Sequence, residues 1–133
     1  MLNKSPSGSL CPYYYMGGEL HPLKYGSYFD DKEALFSIMK AEETFILNST
    51  GRNNRRIWID LYETNFDDDI IEKLVIHLQT ISHKIFKLCL VGCSVKYKAK
   101  INNCMKMKGF DLVEQVRYFK DAEKAKQWLI GEK

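Results

Sequence analysis

Three consecutive carboxylates, Asp67, Asp68 and Asp69, stand in "LYETNFDDDIIEKL" (61–74), between an apolar strand-like run and a helix-like run. Carboxylates in a row support three kinds of chemistry. They can ligate a hard divalent cation through oxygen. They can present an acidic surface to a partner protein. They can also start a helix, where free backbone N–H groups and a partial positive charge favour Asp. A metal site needs carboxylates from a second loop, because three in sequence do not converge on one ion, so capping and partner binding come first. Thr64 and Asn65 in the same loop join the aspartates as candidate contact residues.

The second stretch with chemical potential is "GCSVKYKAK" (92–100). Gly92 permits close backbone approach and Ser94 suits a helix cap. Lys96, Lys98 and Lys100 surround a helix start whose N–H groups favour anions. A phosphate, an acidic lipid head or an acidic partner would fit Ser94, Lys96 and Lys98. Lysines two residues apart point to different sides of a helix, however, which favours a solvated surface over a focused anion site.

Other reactive side chains are sparse. Cys11, Cys89, Cys93 and Cys104 form no pair of Cys-x-x-Cys knuckles, and Cys89 lies within an apolar strand, so reduced, packed thiols are expected. His77 flanks the apolar stripe of a helix, His83 falls in that helix's last turn, and His21 adjoins Pro22. No Ser, His and Asp set or Cys and His pair is placed together by the element order. The expectation is therefore a protein with no catalytic residue, metal or cofactor.

The elements that must position these residues follow from periodicity. "ELHPLKYGSYF" reads as an edge strand because Pro22 cannot donate to a central ladder. Asp30 and Glu33 form a capping pattern for a helix with Ala34, Ile38, Ala41 and Phe45 on one face, closing near Gly51. "RIWIDLY" (56–62) is a strand buried on both faces, and "DDDIIEKLVIHLQTISHK" is a helix burying Ile71, Leu74, Val75 and Leu78. "IFKLCLVG", a helix ended by Gly109, the strand "LVEQVRYF" and the helix "DAEKAKQWLI" complete a β-α-β-α-β-α-β-α order. In the last helix, Ala122, Ala125 and Leu129 share a face, and Trp128 is expected to anchor it against the sheet.

Alternation of this kind demands an α/β domain with a four-stranded, mostly parallel or mixed sheet packed with about four helices. Residues 16–133 form that single domain, and residues 1–15 read as a poorly ordered arm carrying Tyr13, Tyr14 and Tyr15. Ligand contacts gather at the carboxyl ends of the strands, which brings the aspartate and lysine loops together.

Composition narrows the function classes. The chain has 133 residues, 45% apolar content and a formal net charge of +3, enough for one core. No run approaches the roughly 20 apolar residues of a membrane span, the N-terminus lacks the apolar block of a signal peptide, and the chain reads as cytoplasmic. Without an Arg/Lys stripe interleaved with aromatics, a nucleic-acid partner is not expected.

"RRIWIDLYETNF", "FKLCLVGCS" and above all "VRYFKDAEKAKQWLIG" resemble the STAS-like superfamily, founded on the bacterial anti-sigma-factor antagonists. The likeness covers about residues 55–131. It implies a non-catalytic, regulatory α/β interaction module; the expected partner is another protein, with a homodimer as a further expectation. In the antagonist branch a serine in the loop after a core strand is phosphorylated to control docking. The matching loop here has Asp68 or Asp69 near that position, with Thr64 the sole hydroxyl. A binder or carrier of a small anionic or lipid ligand is the alternative.

Overall fold

The computed structural model describes residues 3, 4, 6, 7, 10, 11, 13–15, 18–48, 55–110 and 116–131. Its centre is a parallel sheet of four strands in sequential order, β4 (Gly18–Lys24), β5 (Arg55–Asp60), β6 (Ile85–Val91) and β7 (Arg117–Phe119). The connecting helices are α1 (Lys32–Leu47), α2 (Asp68–Ile81) and α3 (Val95–Met107), and α4 (Ala122–Gly131) follows β7. A parallel neighbour can be reached only by a crossover, and each helix supplies one. Three short strands precede the sheet. β1 (Asn3–Lys4) pairs with β2 (Leu10–Cys11), and β3 (Tyr13–Tyr15) runs antiparallel to Gly18–Leu20, adding a fifth strand beside β4. β4 is therefore an interior strand of the five-stranded sheet, not the expected edge, and Pro22 is accommodated because it lies past the end of the short β3 ladder.

Side chains alternate across the sheet, and the two faces are covered unequally. Ile57, Ile59, Leu88 and Leu90 point into the main core with Leu35, Met39 and Ile46 of α1, Leu74, Val75 and Leu78 of α2, and Ile101 and Met105 of α3. Leu20, Cys89 and Val91 point the other way, under Ala125 and Leu129 of α4. β6 is therefore buried on both faces over Leu88–Val91, as its continuous apolarity requires. β5 is not: Ile57 and Ile59 are buried, while Arg56 and Trp58 on the α4 side are half-buried, because one ten-residue helix cannot cover that face.

Helix α2 buries the four expected residues together with Ile70, His77 and Ile81. α1 is rotated from its expected face. Its buried line is Leu35, Met39, Glu42 and Ile46, leaving Ala34, Ile38, Ala41 and Phe45 half-buried, and its cap is Asp31, whose side chain accepts from Ala34 N. The helix ends at Leu47; the expected closing residue, Gly51, lies outside the described residues. Gly109 does close α3, at φ +68°. Trp128 is also a correction. It is half-buried, with the Lys87 ammonium 4.8 Å and the Arg117 guanidinium 5.8 Å from its ring, while Ala125 and Leu129 carry the buried contact of α4.

Candidate functional site

The loops leaving β4 and β5 extend their pairing beyond the sheet. Phe29 N–H donates to Glu63 O (2.9 Å) and Asn65 N–H to Phe29 O (2.9 Å). Thr64, only 6% exposed, locks the two loops: its hydroxyl donates to Tyr25 O (2.8 Å) and accepts from Tyr28 N–H (3.0 Å). Ser27 Oγ reaches Glu63 Oε1 (2.8 Å), and the Asn65 amide donates to Asp30 Oδ1. This lock holds Ser27, Phe29 and Glu63 at φ 65°, 53° and 58°, a region non-glycine residues rarely occupy. Such strain costs about 1–3 kcal/mol per residue and persists only where neighbours impose it, commonly at functional sites.

A tyrosine bridges the next two loops. Tyr62 lies across Gly92, where an added Cβ would come within 2.7 Å of the ring, and its hydroxyl donates to Lys120 O. Gly92, at φ +85°, is thus required both for its backbone conformation and for this close approach.

On this braced platform the three aspartates diverge. Asp67 is the cap of α2: its Oδ1 accepts from Ile70 N–H at 2.9 Å, while Oδ2 meets Lys32 Nζ at 2.9 Å. The Lys32 bond first, and the Ile70 N–H second, hold its carboxyl below the usual range. Asp69 is 3.5 Å from the same ammonium, whose own pKa is raised chiefly by its bond to Asp67. Asp68 turns to α3, 3.1 Å from Lys100 Nζ. The side chains of Asp68 and Asp69 are 89% and 75% exposed.

Ser94 caps α3, its hydroxyl accepting from Tyr97 N–H at 3.2 Å. Lys96 lines a shallow depression of about 330 Å³ with Asn65, Phe66, Asp67, Asp68 and Lys100. Lys98 points elsewhere, 5.2 Å from the Tyr118 ring. The two loops expected to be neighbours do meet, through Asp68 and Lys100, but Lys96 and Lys98 do not converge. Among the described residues no group of three His, Cys, Asp or Glu could hold a metal ion. Burial pushes the Cys89 thiol up to about 12 and the Cys93 thiol up to about 11, so neither is a thiolate at neutral pH.

A second polar constellation, missed in the sequence, lies between α1, α2 and β4. Tyr25, fully buried, donates to His77 Nε2 (2.7 Å), and His77 Nδ1 carries the proton toward Glu43 Oε1 (3.0 Å). Burial lowers the His77 pKa against the opposing pull of Glu43, and burial raises that of Tyr25. The adjacent Glu42, also fully buried, accepts from both Ser7 N–H (2.9 Å) and the Ser7 hydroxyl. Arg55 Nη1 donates to His21 Nδ1 (2.8 Å), which puts the proton of a neutral His21 on Nε2, 3.5 Å from Glu42 Oε1. His83, by contrast, is exposed in a 3-10 turn (Ser82–Lys84) just beyond α2. Glu42 sits seven residues after Leu35 and three after Met39 on one helix face, a spacing that its carboxylate disguises as a solvent position.

No helix among the described residues is long and apolar enough to cross a membrane. Comparison of the chain with family models, with curated proteins and with solved structures found no match in any of the three.

Proposed function

We propose that this protein is a STAS-like interaction module without catalytic activity, which docks another protein, or a second copy of itself, through the carboxyl edge of its sheet. The observation that supports this reading is the pair of exposed carboxylates, Asp68 and Asp69, on a loop braced against the β4 loop by Thr64. Asp67 alone suffices to cap the helix, so the other two are surplus to that need. Lysines from α1 and α3 flank them, giving a surface of mixed sign that would fix the register of a complementary partner. Preformed loops lose little entropy on binding, which favours docking by a rigid surface. The packed sheet–helix core also supports this reading over a ligand carried between sheet and helices.

Thr64 serves as the internal brace in this account, and Asn65, Asp68 and Asp69 as contact residues. A photo-crosslinking residue placed at Asp69, compared with one at His83 beyond the far end of α2, tests it in the native host. A discrete adduct from position 69 that is missing from position 83 is expected. No adduct at 69, or the same adducts from both, would overturn it.

A further inference from the structure

We propose that the cleft between α1 and α2 binds a small carboxylate monoanion with an apolar body. The cleft measures about 230 Å³ and is formed by Phe36, Met39, Lys40 and Glu43 facing Lys73, Ile76, His77 and Thr80. It lies along the middle of α1 and the C-terminal half of α2, away from the aspartate loop, and the inference stands independently of the docking function.

Charge identifies the occupant. Lys40 and Lys73, the two lysines of the cleft, have no carboxylate partner among the described residues, as is true of other lysines outside it such as Lys96 and Lys98. Lys73 lies 5.5 Å over the Phe36 ring. Glu43 is already engaged by the His77 Nδ1–H. Two ammonium groups against one carboxylate leave one formal positive charge, which a monoanion neutralises. A phosphate dianion would exceed it. The cleft also lies on helix interiors, where backbone N–H groups are spent within the helices, so it lacks the amide nest that phosphate sites use.

The apolar half of the ligand follows from the remaining walls. Phe36, Met39 and Ile76 supply hydrocarbon, and Ile76 is 44% exposed. The polar side of the lining is Lys40, Glu43, Lys73, His77 and Thr80; His77 is bonded to both Tyr25 and Glu43 and the Thr80 hydroxyl donates to Ile76 O, so the two ammonium groups are what remains to meet an anion. The cleft volume is below the usual range for drug-sized ligands, which points to a single ring or short chain.

The test is an NMR titration of the full chain with sodium benzoate, alongside benzyl alcohol, which lacks the charge, and inorganic phosphate, which lacks the apolar body. Benzoate should saturate with a dissociation constant on the order of 1 mM and shift the Lys40, Lys73 and Thr80 amides and the His77 ring signals. Both controls should bind at least about tenfold more weakly. Lys40→Ala with Lys73→Ala should weaken benzoate by at least about tenfold while keeping the wild-type urea midpoint, and Lys40→Gln alone should show a smaller loss. Phosphate or benzyl alcohol matching benzoate, unchanged affinity in the double variant, or shifts that do not saturate at about ten times that concentration would each overturn the proposal.

Discussion

The carboxyl edge and the seam between the helices and the sheet use the same residue types to opposite ends. At the edge, Asp68 and Asp69 are mostly exposed and paired with lysines across open solvent. In the seam, Glu42 is fully buried and held by Ser7 and His21, and Glu43 engages a histidine that is 4% exposed. An exposed ion pair is worth little because water screens it and competes for it. A buried carboxylate is costly unless every partner is kept, so it commits its neighbours to one arrangement. The buried carboxylates and the exposed pair Asp68 and Asp69 are therefore held by different means in this molecule.

The largest expected effect tests the seam. Glu42→Ala removes a fully buried carboxylate and with it the acceptor for both Ser7 donors, which should cost about 3 kcal/mol in urea unfolding. Asp68→Ala should leave the midpoint nearly unchanged, since it loses only a solvent-exposed pair. Equal losses at the two positions would erase the contrast.

A smaller effect comes from His77. Its folded pKa lies below the ordinary 6.5 because burial disfavours the imidazolium. The unfolded chain therefore binds a proton first as pH falls. Stability from this group is complete above about pH 6.5 and is lost below it, by at most about 1.4 kcal/mol per pH unit, until the folded-state value is passed. Urea unfolding from pH 7.5 to 5 should follow that slope in the wild type and be flatter in His77→Gln. An equal slope in both would place the titration elsewhere.

The smallest of these effects belongs to Asp67, which is at the edge yet caps a helix. Asp67→Ala should lower the melting temperature by about 2–6 °C, more than Asp69→Ala does. Indistinguishable melting of the two variants would mean that the cap bond contributes nothing separable from the Lys32 pair.

What was legible in the sequence divides along the same line. The apolar run of β6, the stripe of α2 and the local caps at Asp67 and Ser94 depend on residues near one another in the chain, and each stands where its pattern places it. The rotation of α1 was not legible, because its buried line includes Glu42, and a carboxylate normally marks a solvent face. What lets it stay inside is Ser7, 35 residues away, and a partner that distant leaves no periodic trace. The Tyr25–His77 bond spans 52 residues, and the Tyr62 contact over Gly92 is likewise made only by the fold. Trp128 misled for another reason: its size suggested a core anchor, but among the described residues α4 is the sole helix on its face, and the ring meets cations at the margin.

The central claim, that the edge carboxylates serve docking and not folding, is tested most directly by Asp68→Lys with Asp69→Lys, measured for urea stability and for capture of the partner recovered by crosslinking at position 69. The account predicts a urea midpoint close to that of the wild type and capture reduced by at least about tenfold, since like charges across an interface cost several kcal/mol. Undiminished capture by the folded double variant would contradict it and leave the aspartates as the start of a helix.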